Sequence, residues 1–288
     1  MINTVLVGVG YWGSTLKRYL QEDPNFNLLF ACDSTCKMDE IFHKPELKAV
    51  VVATPPETHY EIVKKALECG LHVLSEKPLA MTYKQCNELR FLSRMRCKVL
   101  LTDYVYNFSR ALNIAKHLVE NGFYGKLLAF DASVKHLGRF GKYNVHWLLS
   151  SHMLSVLGMF VHLPKLNFTF KDLIEGETST ILFNGKINGK IDVSINHPTK
   201  QVEVNLYCEE GTLIYKPHAS PSLLGVKYEK PHWTPAKAIP TQTSKFPFDE
   251  SNNLQFVFQH FCNLIEGKGK SNINLACEIT RIIEENTT

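Results

Sequence analysis

Gly8-Val9-Gly10-Tyr11-Trp12-Gly13 is the segment whose residue types and spacing point most directly to chemistry. It follows the apolar run Thr4-Val5-Leu6-Val7 and precedes Leu16, Tyr19 and Leu20 at helical spacing. In that setting Gly8 permits a tight turn off a strand, Gly10 lets a diphosphate come up to the backbone, and Gly13 lets helix and strand pack closely. The helix start adds unpaired N–H groups and partial positive charge. Asp33 stands twenty residues past Gly13, at the end of the next strand pattern. A carboxylate there accepts hydrogen bonds from both hydroxyls of an adenosine ribose. A 2′-phosphate would meet its negative charge, so NAD is expected, with NADP the alternative if Ser34, Thr35 and Lys37 accommodate that phosphate.

The elements that must hold these residues read as alternating strand and helix. Leu28–Cys32, Ala49–Ala53, Leu71–Ser75 and Lys98–Leu101 are short apolar runs of the kind that parallel strands buried on both faces require. Between them, Ile62, Val63, Ala66 and Leu67 mark the inner face of a helix closed by Gly70. Thr82 with Gln85 makes a capping box for the next helix. Such alternation implies right-handed crossovers and a doubly wound sheet.

Past residue 104 the pattern changes. Helices are expected near Ala111–Glu120 and Trp147–Met159, and strands at Leu127–Val134, Thr178–Phe183, Lys190–Ile195, Val202–Tyr207 and Thr212–Tyr215. Asn184-Gly185 or Asn188-Gly189 supplies a hairpin turn. Residues 216–253 are rich in proline and read as a long irregular excursion, before helices at Leu254–Ile265 and Leu275–Glu285. The fold class is therefore α/β plus α+β. A dinucleotide-binding domain is expected over residues 1–103 and an α+β domain with a mostly antiparallel open sheet over 104–288.

Composition excludes several function classes. The 32 Lys and Arg against 28 Asp and Glu leave a net charge of +4, and no half of the chain is a polyelectrolyte. No electrostatic case for nucleic acid or an anionic membrane surface follows. No apolar run reaches bilayer length. The chain enters its first strand pattern at once with no basic leader segment, so a cytoplasmic location is expected. Most of Cys32, Cys36, Cys69, Cys86, Cys97, Cys208, Cys262 and Cys277 lie in apolar patterns, where a free thiol acts as a small hydrophobe. Cys32 and Cys36 have no matching pair at zinc-site spacing, so neither metal nor disulfides are expected.

Taken in order, Gly8–Gly13, then Ala53-Thr54-Pro55-Pro56-Glu57-Thr58-His59, then Glu76-Lys77-Pro78 resemble the three signatures of the glucose–fructose oxidoreductase/inositol dehydrogenase (Gfo/Idh/MocA) family. Tyr106-Asn107, Gly125-Lys126, Asn144-Val145-His146-Trp147, His152 and Glu210-Gly211-Thr212-Leu213 continue the likeness toward members of nucleotide-sugar and polysaccharide pathways. The resemblance implies a Rossmann domain that binds NAD(P) and hydride transfer between nicotinamide and a sugar or nucleotide-sugar. It implies cofactor binding by Gly8, Gly10, Tyr11, Trp12, Gly13, Asp33, Thr54, Pro55, His59, Glu76 and Lys77, with a cis bond before Pro78. Lys77 would hydrogen-bond the reacting oxygen and His152 would be the acid/base. Fifteen residues separate Asp33 from Ala49, where proteins that this chain resembles fit another helix and strand, and that resemblance implies a sheet abridged on the adenine side.

Aromatic faces and amides suit polyhydroxylated ligands, so Tyr104, Tyr106, Asn107, His136 and His146 are either pocket or packing residues. Tyr106 and Asn107 are taken as the substrate candidates. Relatives usually carry Asp one helical turn before the catalytic His and often another just after it; here those positions are Leu148 and Met153. Two alternatives therefore stay open. One is a redox-silent dinucleotide binder serving as sensor or partner subunit. The other is a reductase resembling the biliverdin-reductase branch, which needs no Asp–His pair. Relatives also cover an apolar face of the open sheet by association, so a homodimer or homotetramer is expected.

Overall fold

A continuous apolar run is stable as a strand only with both faces covered. β1 (Ile2–Val7) meets that condition, with Val5, Leu6 and Val7 all buried. The computed structural model describes residues 1–33, 37–138, 143–229 and 239–287. After β1 come α1 (Tyr11–Glu22), β2 (Phe26–Cys32), α2 (Met38–Phe42), β3 (Ala49–Val52), α3 (Pro56–Glu68), β4 (His72–Glu76), α4 (Tyr83–Met95) and β5 (Leu100–Asp103). The strands form one parallel sheet in the order β2-β1-β3-β4-β5. Between β2 and β3 only the five-residue α2 is found among the described residues, so β2 is left at the edge and the sheet is abridged on that side.

Local signals explain where these helices stop and start. Gly70 has φ +75°, its N–H reaches Leu67 O, and Leu71 N–H reaches Ala66 O, which is a Schellman closure of α3. Thr82 Oγ1 accepts from Gln85 N–H at 3.2 Å, capping α4. The return half of the expected capping box is not made: Gln85 Oε1 has no partner among the described residues, and Glu284 takes the Tyr83 N–H instead.

The second unit opens with α5 (Arg110–Glu120) and β6 (Leu127–Leu137), followed by a π-helical turn at His146–Ser150 that runs into α6 (Ser151–Phe160). Strands β7 (Leu166–Ile174), β8 (Thr178–Gly185), β9 (Asn188–Ser194), β10 (Asn196–Cys208), β11 (Gly211–Tyr215), β12 (Leu223–Glu229) and β13 (Ile239–Phe246) complete an eight-stranded sheet. Its order is β13-β12-β11-β10-β6-β9-β8-β7, antiparallel except for β6 beside β9. Two expectations are corrected here. The stretch 216–253 carries β12 and β13 rather than only irregular chain, because backbone pairing of β12 to β11 and of β13 to β12 compensates for weak apolar patterning. The β8–β9 turn has its apex at Lys186 and Ile187, between the two Asn-Gly dipeptides, since Phe183 pairs with Gly189.

The open face of this sheet is mixed rather than apolar. Buried Phe130, Ala132, Val134, Ile191, Val193, Val204 and Leu206 alternate with Asp131, Ser133, Lys135, Lys190, Asp192, Glu203 and Asn205 on the other side. Leu182 and Tyr207 are among its exposed apolar members.

The tail forms α7 (Asn253–Ile265) and α8 (Ile273–Thr287). Residues 254–285 cluster with Met1–Val105, so the expected 104–288 domain loses them to the first unit. The reason is apolar cover. Phe258 meets Tyr19 and Phe26, and Phe261 stacks on Phe26. Asn272 also acts as a surrogate strand neighbour, accepting from Thr102 N–H at 3.0 Å and donating to Thr102 O at 2.7 Å, which satisfies the free edge of β5.

Cys69, Cys86, Cys97, Cys208, Cys262 and Cys277 are free thiols. Cys32, at the partly exposed end of the edge strand β2, is in a disulfide, which corrects the expectation of thiols throughout. Ser34, Thr35 and Cys36 lie outside the described residues. No helix among the described residues is long and apolar enough to cross a membrane.

His72 ties the sheet to pH. Its Nδ1 accepts from Val99 N–H at 3.1 Å, which needs a neutral ring. Burial, then Lys98 and Lys48, push its pKa down to about 4. Below the ordinary value near 6.5 the unfolded chain takes up a proton that the folded chain refuses. Stability therefore falls as pH drops from about 6.5 toward 4. The urea midpoint is expected to be lower at pH 5 than at pH 7, and that gap should shrink in His72→Gln, which keeps an acceptor for Val99. An unchanged gap would assign the effect to other groups.

Candidate active site

The turn after β1 is built by steric necessity at two of its glycines. Gly8 has φ +102°, and a Cβ there would lie 2.4 Å from Ala53 O. A Cβ on Gly13 would lie 2.0 Å from Gly8 O. These two positions let the strand, the turn and α1 close on each other. Gly10 is different: φ is −65°, and a Cβ would meet nothing within 4 Å. It is the N-cap of α1 and, as glycine, brings no side chain to cap the first-turn N–H groups of residues 11–13. Val9, Tyr11 and Trp12 are exposed around them.

Three further segments are held against this turn. Gly8 N–H donates to Cys32 O at 2.7 Å, which fixes the start of the loop carrying exposed Asp33. Ala53 N–H donates to Val7 O at 2.8 Å, bringing Thr54 and Pro55 alongside. Trp12 Nε1–H donates to Glu76 Oε1, a link across 64 residues between the turn and the loop at the end of β4. That loop contains Lys77, and the Lys77–Pro78 bond is cis.

His59 lies beneath these loops. It is buried, with Nδ1 2.7 Å from Pro78 O and Nε2 2.8 Å from Thr54 O. Each ring nitrogen faces a backbone carbonyl, and the neutral ring donates to one of the two at a time, which still makes the residue a clip between two loops. Burial outweighs those carbonyls and depresses its pKa, with Lys77 adding to the depression. Lys77 is itself lowered by burial against the raising effect of Glu76 and Asp103, which identifies Asp103 as a site residue that the sequence pattern does not single out. The signal available for it is a carboxylate at the point where the buried β5 strand ends.

The remaining candidates lie in the second unit, save Tyr104. The Tyr106 ring meets His152 edge-on at 5.4 Å, and burial pushes the Tyr106 hydroxyl up to about 12. Asn107 Oδ1 accepts from Ser155 Oγ at 2.8 Å, and Ser155 Oγ also lies 2.7 Å from His152 O. Tyr106, Asn107, Ser155 and His152 therefore form one cluster. Ser155 was invisible in the sequence, where a serine inside an apolar helix carries no signal.

His146 is buried, its Nδ1 accepting from Ser150 Oγ–H at 2.9 Å and its Nε2–H donating to Asp172 Oδ1 at 3.2 Å. Those bonds fasten the π-helical turn to β7. Tyr104 is fully buried in the first unit near the Cys86 and Cys277 thiols, where it packs. Leu148 is partly buried and Met153 fully buried. Among the described residues no group of His, Cys, Asp and Glu is placed to hold a metal ion.

Residues 17–104 match the GFO_IDH_MocA family, described as an oxidoreductase family with an NAD-binding Rossmann fold. A 2,7-anhydro-N-acetylneuraminate hydratase of Mediterraneibacter gnavus is 32% identical over 141 residues, 44% of this chain and 38% of that protein. A dTDP-3,4-didehydro-2,6-dideoxy-alpha-D-glucose 3-reductase of Saccharopolyspora spinosa is 32% identical over 107 residues, 37% of this chain and 32% of that protein. These matches thus span well under half the length of either relative. The structure of an inositol dehydrogenase homolog from Azotobacter vinelandii, complexed with NADH and myo-inositol, has a TM-score of 0.79. It is 18% identical and covers 99% of this chain and 94% of that one, a likeness of fold. With the glycine turn, the Thr54–His59 loop and the Glu76-Lys77-Pro78 loop assembled around one sheet, the first unit is similar, through residues 17–104, to the NAD-binding Rossmann domain of the Gfo/Idh/MocA oxidoreductases.

Proposed function

We propose that this chain is an NAD(P)-dependent oxidoreductase that transfers hydride between a nicotinamide coenzyme and a sugar or nucleotide-sugar. The observation that carries the reading is Gly10. A Cβ there would meet nothing within 4 Å, so the space beside the start of α1 is left open by a residue whose own packing does not demand glycine. A diphosphate is the group that such a space at a helix start serves. The residues present fit a dinucleotide: the amides of Tyr11, Trp12 and Gly13 for its diphosphate and Asp33 for ribose hydroxyls. Thr54 and Pro55 lie alongside, and the Glu76–Lys77 loop is tied to the turn. Asp33 favours NAD over NADP through its charge.

The bound coenzyme supplies the hydride acceptor or donor. Lys77 donates a hydrogen bond to the reacting oxygen and stabilises negative charge as it develops. His152 takes or returns the hydroxyl proton. Tyr106 and Asn107 present an aromatic edge and an amide suited to a polyhydroxylated ligand. His59 acts by clipping the two loops rather than by touching coenzyme. The substrate class draws on relatives named as a nucleotide-sugar reductase and as an inositol dehydrogenase homolog. A cytoplasmic location and association as a homodimer or homotetramer belong to the same reading, with Leu182 and Tyr207 as the apolar anchors of the open face.

The test is calorimetry with NAD and NADP, followed by absorbance at the reduced-nicotinamide band with a panel of sugars and nucleotide-sugars. Binding with turnover supports the proposal; no heat with either coenzyme overturns it. Leu148 favours a second reading, a dinucleotide binder without redox turnover, which predicts heat and no turnover on the whole panel. Leu148→Asp is expected to raise turnover by tenfold or more if the missing carboxylate limits rate, since such positioned groups contribute about 10²–10⁴. Unchanged turnover in a folded variant would show that it does not.

A further inference from the structure

Two strands of the first unit end on acids. Glu76 closes β4 and Asp103 closes β5, and the two are direct partners in the parallel register. Partners in register point to the same face of a sheet, so the two carboxyls stand side by side. Their surroundings are unequal. Glu76 receives the indole N–H of Trp12 at Oε1 and the backbone N–H of Lys77 at Oε2, the latter at 3.2 Å. Asp103 is 3% exposed, and neither of its oxygens receives a hydrogen bond from an N–H or hydroxyl donor among the described residues. Its neighbour in register is the Glu76 carboxyl, whose charge and side chain act with burial to raise Asp103. The charged group turned toward both acids is Lys77. Trp12 carries no charge, and His59, which also feels Lys77, is held neutral by burial.

Two ionised carboxylates cannot remain adjacent in a buried site, and an acid without donors is the one that keeps its proton. We propose that Glu76 and Asp103 hold a single proton between them, resident on Asp103 and donated to Glu76, so that Asp103 is a positioning residue that leaves one negative charge facing Lys77. Burial raises both acids above the usual carboxylate range, Asp103 well above it, in the same sense as the geometry. The functional half of this inference rests on Lys77 meeting the reacting oxygen, as proposed above. While the proton is present, one carboxylate rather than two competes with a ligand oxygen for the ammonium. When the proton leaves at alkaline pH, a second negative charge draws the ammonium back to the strand ends, and the proposed turnover falls.

Infrared spectroscopy of the whole chain without coenzyme tests the pair directly. One protonated-carboxyl C=O band per chain is expected to persist at pH 7. It should shift when aspartate is carbon-13 labelled at the side-chain carboxyl, stay put when glutamate is so labelled, and vanish in Asp103→Asn. The labelled parent protein gives an answer even if the variant fails to fold. Absence of the band at pH 7, or a shift with labelled glutamate alone, overturns the proposal. In turnover, Asp103→Asn should remove the alkaline fall in kcat/KM, because its amide donates to Glu76 at every pH. A uniform loss at all pH values would reduce Asp103 to packing and overturn the positioning role. If the band is present and the parent shows no turnover, the failure belongs to the oxidoreductase reading and not to the shared proton.

Discussion

Lys77→Met lowers the rate of hydride transfer by about 10²–10³-fold, the usual cost of removing one donor aimed at a developing oxyanion. Coenzyme affinity should stay near that of the parent, because the diphosphate is assigned to the main-chain amides of residues 11–13 and not to this side chain. Methionine fills most of the lysine volume without its charge, so the packing around Pro78 and the His59 clip is kept. Lys77→Arg is expected not to rescue, since a planar guanidinium cannot stand in for a compact ammonium wedged beside Glu76 and Asp103. Single-turnover absorbance and calorimetry on the same preparations separate the two quantities. Parent-like rates in Lys77→Met would remove the lysine from the chemistry.

Gly10→Ala should separate ligand binding from folding more cleanly than any other change in the turn. The new Cβ meets no protein atom within 4 Å, and φ −65° suits an L-residue. Stability is therefore expected to stay within about 1 kcal/mol of the parent, the lost freedom of the unfolded chain being offset by alanine's poorer fit to the N-cap position. Affinity for either dinucleotide should fall on the order of tenfold or more, about 1.4 kcal/mol for each factor of ten, as the methyl occupies the diphosphate's approach. Gly13→Ala reverses the order of effects. Its Cβ would sit 2.0 Å from Gly8 O, so the fold itself gives way by roughly 1–3 kcal/mol. Undiminished affinity in Gly10→Ala would place the diphosphate elsewhere and take the glycine turn out of the site.

The first sheet was legible because strands buried on both faces leave an uninterrupted apolar trace, as in Ala49–Val52. Gly8, Gly13 and Gly70 were legible because steric geometry leaves glycine little competition there. β7 alternates Leu166, Phe168 and Phe170 yet is absent from the expected strands, and β13, an outer strand of its sheet, reads Ile-Pro-Thr-Gln-Thr-Ser-Lys-Phe and shows no apolar stripe. Helical periodicity gave the existence of α7 and α8 but not the surface they cover, since amphipathicity does not name its partner. At the site, residue type alone could not tell that both ring nitrogens of His59 and of His146 face polar partners. Nor could it pair Glu76 with Asp103, a match that depends on the β4–β5 register.

Closure of the first unit by residues 254–285 constrains how the chain can be made. A nascent polypeptide leaving the ribosome exposes Tyr19 and Phe26 long before Phe258 and Phe261 exist to shield them. The nucleotide-binding half is thus the first to be synthesised and the last to be finished, with some 150 residues of another unit translated in between. Premature termination anywhere in that interval leaves a sticky, half-clad β-layer, the kind of species that chaperones hold and proteases remove.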